Sequence, residues 1–312
     1  MRAIVTGGAG FIGSHLVDAL VAHGDEVVAV DSLATGKRER VNEGAELVVG
    51  DIRDGTVLGE TFREAKPDVC FHLAAQVDVR RSVEEPVFDG DVNVLGTIGV
   101  LEAARARGTQ VVFSSTGGAI YGECDRPADE DSALQPISPY GTSKLAGEEY
   151  LRTYNRLYGT QHVALRYANV YGPRQDPHGE AGVVAIFFGR IASGERPRIF
   201  GNGSQTRDYV YVGDVVQATL HAAGKAGRGV FNVGTGRETS VVELYEACRL
   251  VSGSELEPEF ADARLGELAR SVLDPARAGS ELGFRAEVSL EDGLARTWDS
   301  VHGEGEERAG AK

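Results

Sequence analysis

The segment that most constrains the fold is the N-terminal stretch, where a short β-branched run from Arg2 to Thr6 leads directly into a glycine-rich turn. After the turn, apolar residues recur every four positions at Ile12, Leu16 and Leu20, which predicts an amphipathic helix, and Gly24 is a suitable C-cap. A second β-branched run follows. Strand, helix and strand in this order predict a βαβ unit.

The glycines of the turn, Gly7, Gly10 and Gly13, predict a dinucleotide site. Without side chains, the backbone can approach a pyrophosphate, which then faces the N-terminus of the helix. Asp31 ends the second strand eighteen residues beyond Gly13, close to the spacing of an acid that binds a ribose. Its carboxylate would repel a 2′-phosphate, so we predict NAD as the cofactor rather than NADP, although Lys37 lies nearby.

Short β-branched runs alternate with helical stretches through the first half of the chain. The further predicted strands cover residues 46–49, 68–73, 110–115 and 162–166, with a late one at 230–233. Parallel strands need crossover connections, and the intervening helices supply them on both faces of the sheet. We therefore predict an α/β fold, a Rossmann-type doubly wound parallel sheet with a smaller, discontinuous substrate-binding lobe.

The regular alternation ends near residue 168, where proline and glycine become frequent. We predict that residues 1–168 form the NAD-binding domain, with a return segment at about 208–238. Residues 169–207 and 239–302 would then form the substrate lobe. Residues 303–312 are charged and rich in glycine, which predicts a disordered tail.

The charge and the cysteines argue against several classes of protein. A formal net charge of −15 disfavours binding to nucleic acid or to an anionic membrane, since both depend on clustered Lys and Arg. The three cysteines lack the spacing of a zinc site or a disulfide framework, so we expect no metal site and a reducing, cytoplasmic location. We also expect neither a signal peptide nor a membrane span.

Other residues that end strands or open helices are candidates for cofactor contacts, because ligands bind in the crevice at the carboxyl edge of such a sheet. For each of these residues taken singly, an ordinary role in a turn is an equally good explanation. With residues of the first turn included, the set is Phe11, Ile12, Asp51, Ile52, Leu73, Ala74, Ala75, Gln76, Asn93, Ser114 and Tyr167.

Tyr140 and Lys144 lie four residues apart in a segment that Pro139 opens as a helix, so their side chains share one face. A tyrosine, with a reference pKa of roughly 10, is too weak an acid to act alone as a base. The Lys ammonium and the positive ring of oxidised NAD would both favour the phenolate. The pair therefore predicts a proton acceptor, whereas the spacing alone is more typical of an exposed helix face.

A cluster of hydroxyl groups at Ser114, Ser115 and Thr116 ends the predicted strand at residues 110–115. A hydroxyl group at this edge can bind a sugar oxygen, with a plain turn as the alternative interpretation. Gly117 and Gly118 follow, and neither can move a proton. The segment thus predicts a substrate contact without an additional acid or base.

The segments TGGAGFIGSHL and RYANVYGPRQ, the hydroxyl cluster and Tyr140-x-x-x-Lys144 together resemble the extended short-chain dehydrogenase/reductases, and within them the bacterial UDP-glucose 4-epimerases. In that family a Ser or Thr, the Tyr and the Lys act together, which implies Thr116, Tyr140 and Lys144 here, with Ser115 as the alternative hydroxyl. The implied reaction interconverts UDP-glucose and UDP-galactose through a transient 4-keto sugar. Tyr140 would take the O4 proton while NAD takes the hydride, and Lys144 would hold the nicotinamide ribose.

The same resemblance implies a set of residues around the nucleotide sugar. Arg207 and Arg264 would bind the diphosphate, because guanidinium groups match phosphate oxygens. Arg198 and Phe200 belong to the segment that lines the uracil. The whole set is Thr116, Tyr140, Asn169, Val183, Arg198, Phe200, Arg207, Tyr209, Arg264 and Glu267.

The chain departs from the family at two positions, with Val77 in place of a Lys near the substrate and Glu267 in place of a ribose-binding Asp. Related enzymes that act on uronic acids carry a Thr at the position of Asn169 and an Arg just after the GPRQ run, where this chain has Asp176. An Asp near a sugar carboxylate would be repulsive. We expect a neutral UDP-hexose, with UDP-N-acetylhexosamine or UDP-glucuronate as alternatives.

Two other functions remain as alternatives. A sugar-nucleotide 4,6-dehydratase would carry an Asp-Glu pair at Gly117 and Gly118, and a nonenzymatic NAD-binding regulator would tend to lose the Tyr or the Lys. The family also pairs the helix of the catalytic Tyr across a homodimer. In this helix Leu151, Tyr154 and Tyr158 form an apolar stripe that would serve either a dimer or core packing.

Overall fold

The computed structural model describes residues 1–177, 182–224, 229–264 and 267–310, with side chains described as far as residue 302. A sheet of seven parallel strands lies at its centre. These strands are β1 (Arg2–Thr6), β2 (Glu26–Asp31), β3 (Glu46–Val49), β4 (Val69–His72), β5 (Gln110–Thr116), β6 (Val163–Tyr167) and β11 (Gly229–Val233).

The spatial order of the sheet is β11-β6-β5-β4-β1-β2-β3, so the chain winds outward from β1 in both directions. Each strand lies within one or two residues of its predicted position. β11 pairs with β6 at the edge of the sheet, in the segment that we expected to return to it. The predicted doubly wound parallel sheet is confirmed.

Helices cover both faces of this sheet, and others lie outside it. The helices of the described residues are α1 (Phe11–His23), α2 (Gly55–Ala65), α3 (Val79–Glu84), α4 (Pro86–Gly90), α5 (Gly96–Arg105), α6 (Gly117–Ile120), α7 (Pro139–Tyr158), α8 (Val183–Ala192), α9 (Val212–Ala222), α10 (Val241–Ser252) and α11 (Leu290–Gly310). Short turns of tighter or wider helix occupy Arg38–Arg40, Asp91–Leu95 and Ala278–Leu282.

Two hydrophobic cores lie on the two faces of the sheet. The first contains Leu16 of α1 and Val215 of α9, and the second contains Phe62 of α2, Val100 of α5 and Leu151 of α7. Burial of such side chains contributes roughly 1.5–3 kcal/mol each. The sheet is thus held from both sides, and its carboxyl edge is left for the site.

The apolar stripe that we predicted on α7 divides between two environments. Leu151 and Tyr154 are 2% and 8% exposed and belong to the second core, so core packing is the correct interpretation for both. Tyr158 is 51% exposed, and Tyr150 and Leu157 are exposed beside it. The exposed apolar surface of α7 therefore lies one position away from the predicted stripe.

The remaining strands form small sheets outside the central one. They are β7 (Asn169–Tyr171), β8 (Arg198–Phe200), β9 (Thr206–Arg207), β10 (Tyr209–Tyr211), β12 (Thr239–Ser240), β13 (Glu259–Ala261) and β14 (Arg270–Ser271). β7 pairs with β10, β8 with β13, and β9 with β12 and β14. A third core, which includes Phe188 of α8, Leu244 of α10 and Leu294 of α11, packs these elements together.

The last helix, α11, runs to Gly310 and overlaps the segment 303–312, whose disorder stays a prediction. Extending an existing helix needs no new nucleation, so a polar stretch can continue it. Residues 311 and 312 lie outside the described part. Among the described helices, none combines the length and apolar character needed to cross a membrane.

Candidate active site

The glycine turn between β1 and α1 packs too closely for side chains. A Cβ atom at Gly13 would lie 2.0 Å from the Gly7 carbonyl oxygen, and one at Gly7 would lie 2.8 Å from the Ala74 nitrogen. Gly7 also has a positive φ of 71°, which glycine adopts without strain. Within the described residues, no side chain caps α1 at Gly10. The turn therefore offers backbone N–H groups at a helix N-terminus, where an anion binds favourably.

Asp31 lies at the end of β2, beside this turn. Its carboxylate is buried and accepts hydrogen bonds from the Ala9 nitrogen at 3.0 Å and the Leu33 nitrogen at 2.8 Å. Lys37 is exposed, and its backbone nitrogen donates to the Ala9 carbonyl oxygen at 3.0 Å. The structure thus brings the predicted ribose-binding acid and the phosphate turn together.

The loop after β4 lies against the glycine turn. The Leu73 nitrogen donates to the Thr6 carbonyl oxygen at 3.1 Å, and the Ala74 nitrogen donates to the Thr6 hydroxyl at 3.2 Å. Ala75 continues this loop. Gln76 and Asn93 bind each other, since the Gln76 nitrogen donates to Asn93 Oδ1 at 2.8 Å and Asn93 Nδ2 donates to the Gln76 carbonyl oxygen at 2.9 Å. These hydrogen bonds hold the loop in place.

Some predicted cofactor residues direct their side chains elsewhere. Ile52 belongs to the second core, and the Tyr167 hydroxyl binds the Thr219 hydroxyl at 2.7 Å, so a cofactor contact at either is a main-chain contact. Asp51 pairs with Arg53 at 2.7 Å, which holds the pKa of that carboxyl below its usual value. At the start of α1, Ile12 packs on the first core and Phe11 is half-buried.

Helix α7 carries the candidate catalytic pair. The helix begins at Pro139, and the Ser138 hydroxyl caps it by accepting from the Gly141 nitrogen at 3.1 Å. Lys144 is 3% exposed, and its Nζ donates to the Ser114 carbonyl oxygen at 2.9 Å. Thr116, at the end of β5, lies close enough to Tyr140 for its hydroxyl to lower the pKa of Tyr140. Thr116, Tyr140 and Lys144 are thus brought to the carboxyl edge of the sheet.

The neighbouring hydroxyl, Ser115, has a different partner. It is buried and donates to Glu148 Oε1 at 2.5 Å. Glu148 in turn pairs with the Arg166 guanidinium, with Oε2 and Nη2 2.7 Å apart and both side chains almost fully buried. Arg166 also donates to the Tyr121 hydroxyl at 2.7 Å. The geometry favours Thr116 over Ser115 as the hydroxyl that acts beside Tyr140.

The protein environment shifts the pKa values of the pair in opposite directions. Burial raises the pKa of Tyr140 to about 12, the Asp89 carboxylate raises it further, and the Thr116 hydrogen bond opposes this. Burial lowers the pKa of Lys144 to about 8, against the opposing effect of Asp89 and Glu148. The lowering of the Tyr140 pKa that we expected therefore depends on the positive charge of the cofactor, because Lys144 alone does not produce it.

The two glycines after Thr116 differ in their surroundings. A Cβ atom at Gly117 would lie 2.5 Å from Leu273 Cδ1, so a side chain there would require the end of the Leu273 side chain to move. A Cβ atom at Gly118 would lie 3.6 Å from Asn169 Oδ1 and 4.0 Å from Thr116 Oγ1. Gly118 therefore marks a point where the predicted substrate residue Asn169 and the candidate catalytic hydroxyl come together.

The candidate residues for the nucleotide end come from distant segments and contact each other in pairs. Arg207 lies 3.5 Å from Glu267, measured between Nη2 and Oε1. Arg264 stacks on the Phe200 ring, with its guanidinium carbon 3.8 Å from the ring centre. These pairs connect the strands β8 and β9 to Arg264 and Glu267.

Three further predicted residues complete this side of the crevice. Arg198 forms an exposed ion pair with Glu259 at 3.1 Å, and Val183 begins α8 against the third core. Tyr209 is 6% exposed, and among the described residues its hydroxyl has no hydrogen-bond partner. A buried hydroxyl without a partner is costly, which suits a group that binds a ligand.

Sequence reasoning missed Asp89, which lies on α4 and is 0% exposed. Asp89 Oδ2 accepts from the Ser143 hydroxyl at 2.5 Å, and Oδ1 accepts from Gln76 Nε2 and Asn93 Nδ2, both at 3.0 Å. A single Asp in the short segment PVFDG matches no motif, so its role became visible only through these contacts. Within the described part of the chain, no group of His, Cys, Asp or Glu is arranged to hold a metal ion.

A doubly wound sheet with a glycine-lined phosphate turn, a ribose-binding acid and a Thr-Tyr-Lys cluster at the strand ends defines a dinucleotide-dependent enzyme of the short-chain dehydrogenase/reductase type. The model of the NAD dependent epimerase/dehydratase family matches residues 3–234. The chain belongs to this family.

Individual relatives are similar over almost the whole chain. UDP-glucose 4-epimerase of Mycolicibacterium smegmatis is 50% identical over 305 residues, which cover 95% of this chain and 97% of that protein. The crystal structure of UDP-glucose 4-epimerase from Thermotoga maritima with UDP-glucose is 46% identical, with a TM-score of 0.95 and coverage of 97% and 99% of the two chains. The enzyme from Thermus thermophilus in complex with NAD is 47% identical, with a TM-score of 0.92 and the same coverage.

Proposed function

We propose that this protein is an NAD-dependent UDP-glucose 4-epimerase, which interconverts UDP-glucose and UDP-galactose. The observation that carries the proposal is the position of Tyr140, beside Thr116 and one helical turn from the buried Lys144. This cluster lies at the carboxyl edge of the sheet, on the side where the glycine turn opens. Relatives with this name are similar to the chain over nearly its full length.

The residues present fit NAD. The close approaches at Gly7 and Gly13 leave the turn free of side chains, and Asp31 is positioned for a ribose diol. When bound, NAD supplies the acceptor and donor of the hydride at C4 of the sugar. Asp31 would bind the adenosine ribose, the turn from Gly7 to Gly13 the pyrophosphate, and Lys144 the nicotinamide ribose.

The protein side of the reaction is a proton transfer at the sugar O4. Tyr140 takes the O4 proton as its phenolate and returns it to O4 at the end of the cycle. Thr116 donates a hydrogen bond at the same place, which holds the sugar O4 close to the Tyr140 oxygen. Lys144 contributes its positive charge, which favours the phenolate, together with the charge of the oxidised cofactor.

In this arrangement the two parts of the chain bind different ligands. We propose residues 1–168 with the return segment 208–238 as the NAD-binding domain, and residues 169–207 and 239–302 as the UDP-sugar lobe. Arg207 and Arg264 would bind the diphosphate, and Tyr209 offers a buried hydroxyl to the same ligand. Gly117 and Gly118 place no acid or base after Thr116, which fits epimerisation better than a 4,6-dehydratase.

The sugar specificity depends on the groups around C4 to C6. Asn169 is a neutral group near Thr116, and Asp176 would repel a sugar carboxylate. We therefore propose a neutral hexose as the substrate. UDP-N-acetylglucosamine and UDP-glucuronate are the competing substrates for the same site.

A homodimer is part of the proposal. Exposed apolar side chains are concentrated on α4, the turn at Asp91–Leu95 and α7, which pack against one another. They include Val87 at 85%, Leu95 at 60%, Leu157 at 68% and Tyr158 at 51% exposure. A second copy of the chain would cover this surface, and sedimentation of the native protein against Leu157→Glu measures it.

A cytoplasmic location is proposed from the thiols. Cys70, Cys124 and Cys248 are free cysteines in the structure. Two of them are buried in cores, where no disulfide partner is in reach among the described residues. Free thiols of this kind fit a reducing compartment.

The decisive experiment incubates the purified protein with UDP-glucose and no external oxidant, and follows UDP-galactose by chromatography. We expect UDP-galactose to form, and the Tyr140→Phe variant to lose nearly all of this activity while it still folds and binds NAD. Ser115→Ala is a useful contrast to Thr116→Ala, since Ser115 donates to Glu148 and only the second change removes the hydroxyl beside Tyr140. Faster turnover of UDP-glucuronate than of UDP-glucose would contradict the neutral sugar, and no turnover of any UDP-hexose would contradict the epimerase.

A further inference from the structure

Two buried carboxylates influence Lys144, and they differ in how their charges are balanced. Glu148, one turn along α7, forms a buried ion pair with Arg166, with a distance of 2.7 Å between Oε2 and Nη2. Asp89 on α4 is fully buried, and among the described residues it has no ion pair. The negative charge of Asp89 is therefore balanced by no cation in direct contact within that part of the chain.

The hydrogen bonds of Asp89 come from neutral groups. Oδ1 accepts from Gln76 Nε2 and Asn93 Nδ2, both at 3.0 Å, and Oδ2 accepts from the Ser143 hydroxyl at 2.5 Å. Neutral donors solvate a carboxylate but do not cancel its charge. Because a buried charge is costly unless a charge of opposite sign balances it, Asp89 needs a cation within the same buried region.

Lys144, as a buried cation, needs a negative charge in the same region. Its Nζ donates to the neutral Ser114 carbonyl oxygen at 2.9 Å and lies 4.8 Å from the centre of the Phe113 ring. In the described structure its ammonium has no contact ion pair. Lys144 directly follows Ser143, whose hydroxyl binds Asp89, so the helix that carries the ammonium also contacts the carboxylate.

We propose that Asp89 is the counterion of the Lys144 ammonium and a positioning residue for the reaction. The proposal rests on the proposed function only in taking Lys144 and Tyr140 as the reacting pair. Asp89 acts through Lys144 and Tyr140, without touching the sugar. Its charge keeps Lys144 protonated in a buried site that also receives the positive ring of the cofactor, and it opposes premature loss of the Tyr140 proton.

Both pKa shifts at the site agree with this role. Asp89 raises the pKa of Lys144 against the larger lowering by burial, and it raises the pKa of Tyr140 in addition to burial. Removal of the negative charge is therefore expected to lower both pKa values. The size expected for one buried charge acting over several ångströms at an effective dielectric near 20 is about one pH unit.

The other charged or titratable groups near the pair leave this balance unchanged. His72 on β4 is neutral, because burial and Lys144 lower its pKa to about 3. On the side of α3 and the turn after α4, Arg81 pairs with Glu85 at 3.0 Å and Asp91 pairs with Arg53 at 2.8 Å, all with partly exposed side chains. On α5, Glu102 pairs with Arg105. Glu148 also raises the pKa of Lys144, but its charge is already paired with Arg166.

The test is the Asp89→Asn variant of the full chain. Asn keeps an oxygen for Gln76 and Asn93 and places an NH₂ group against the Ser143 hydroxyl, which can also accept, so the packing and hydrogen bonds are preserved while the charge is lost. Nitrogen NMR of ¹⁵N-lysine-labelled protein follows Lys144 directly, with Lys144→Met for assignment. We expect the Lys144 pKa, about 8 in the native protein, to fall by about one unit. An unchanged Lys144 pKa overturns the proposal.

The kinetic readout is the pH profile of UDP-glucose epimerisation. We expect both limbs of the kcat profile to move to lower pH by about one unit in Asp89→Asn, whereas a purely structural defect would lower kcat at every pH without moving the limbs. Asp91→Asn removes the same charge two residues away at an exposed site, and we expect neither the NMR pKa nor the profile to move. Equal shifts in the two variants would contradict a specific role of Asp89.

The NMR measurement separates this proposal from the proposed function. If the native protein converts no UDP-sugar and the Lys144 pKa still falls in Asp89→Asn, the epimerase assignment fails and the coupling stands. If Asp89→Asn does not fold, the double variant with Lys144→Met becomes the test, because removal of both charges is expected to restore folding. Failure of the double variant to fold overturns the counterion role.

Discussion

The two sides of the crevice are built from different interactions. On the sheet side, Glu148 and Arg166 pair at 2.7 Å with side chains that are 0% and 1% exposed. On the lobe side, Arg198 and Glu259 pair at 3.1 Å with side chains that are 45% and 49% exposed. Breaking a buried pair typically costs about 3–5 kcal/mol, whereas an exposed pair contributes roughly 0–1 kcal/mol.

We relate this difference to two tasks, the reaction on the sheet side and substrate binding on the lobe side. The sheet side is buried and fixed by backbone geometry, so Tyr140, Thr116 and the glycine turn are in place within the protein itself. The lobe side consists of long side chains, such as Arg207, whose present partner Glu267 a diphosphate would have to displace. We expect changes on the sheet side to act on stability and cofactor binding, and changes on the lobe side to act on KM.

The largest expected effect is that of Glu148→Gln. The change leaves the buried Arg166 guanidinium without its counterion, so the free energy of unfolding is expected to fall by about 3–5 kcal/mol in urea titrations. Glu259→Gln on the lobe side is the matched control, with an expected change below about 1 kcal/mol. Similar losses in both variants would remove the distinction between the two sides.

Acid stability tests the same buried region. His162 is 1% exposed, and burial lowers its pKa to about 4. Between about 4 and the ordinary value near 6.5, the unfolded chain binds a proton that the folded chain does not, so stability falls as the pH decreases through this window.

The loss attributable to His162 amounts to about 3 kcal/mol at the acid end of the window. Urea titrations at about pH 7 and about pH 4.5 measure it, with His162→Gln as the comparison. The variant is expected to lose less stability on acidification than the native protein. An equal loss would show that His162 is protonated in the folded state.

A substitution in the glycine turn is expected to have a smaller effect, which both stability and NAD binding report. Gly13→Ala places a methyl group against the Gly7 carbonyl oxygen, and the forced backbone shift is expected to cost about 1–3 kcal/mol, with weaker NAD binding. Gly59→Ala in α2 is the control, because nothing lies within 4 Å of its Cβ position. This control is expected to stabilise the helix by about 0.5–1 kcal/mol. Calorimetry with and without NAD compares the two variants.

The smallest effect is expected for Glu267→Gln on the lobe side. The exposed ion pair with Arg207 contributes less than about 1 kcal/mol, so KM for UDP-glucose should change by less than about fivefold, with kcat unchanged. Arg207→Gln removes the proposed charged contact with the diphosphate and should raise KM by about tenfold or more. A large change of kcat in Glu267→Gln would place this residue with the sheet side instead.

Much of the sheet side was predictable because its signals are local. The glycine turn, the helix after it and Asp31 all fall within the first 31 residues, and they form one βαβ unit with the predicted bounds. Tyr140 and Lys144 share a face because four residues make about one helical turn. For the lobe, the fold and the pairing of Arg207 with Glu267 across 60 residues could not be derived from local patterns.

The residues that tune the site were not predictable for the same reason. Asp89 and Ser143 are 54 residues apart, and Ser115 and Glu148 are 33 apart. The sequence left Ser115 open as an alternative to Thr116, and only the contact of Ser115 with Glu148 favours Thr116. On α7 the apolar stripe was visible, but which of its side chains face the core depends on how the helix is rotated against β5.

What the sequence determined by itself is the machinery that short-range periodicity and backbone geometry encode: the parallel sheet, the phosphate turn, the acid for the ribose and the Tyr-Lys pair. What only the tertiary structure decided is the electrostatic setting of that pair. Burial and the charge of Asp89 raise the pKa of Tyr140, and burial lowers the pKa of Lys144 against the charges of Asp89 and Glu148. Asp89 lies on α4, which meets α7 only when the helices pack. Charges interact through space, and the distances between them are set by packing rather than by spacing along the chain.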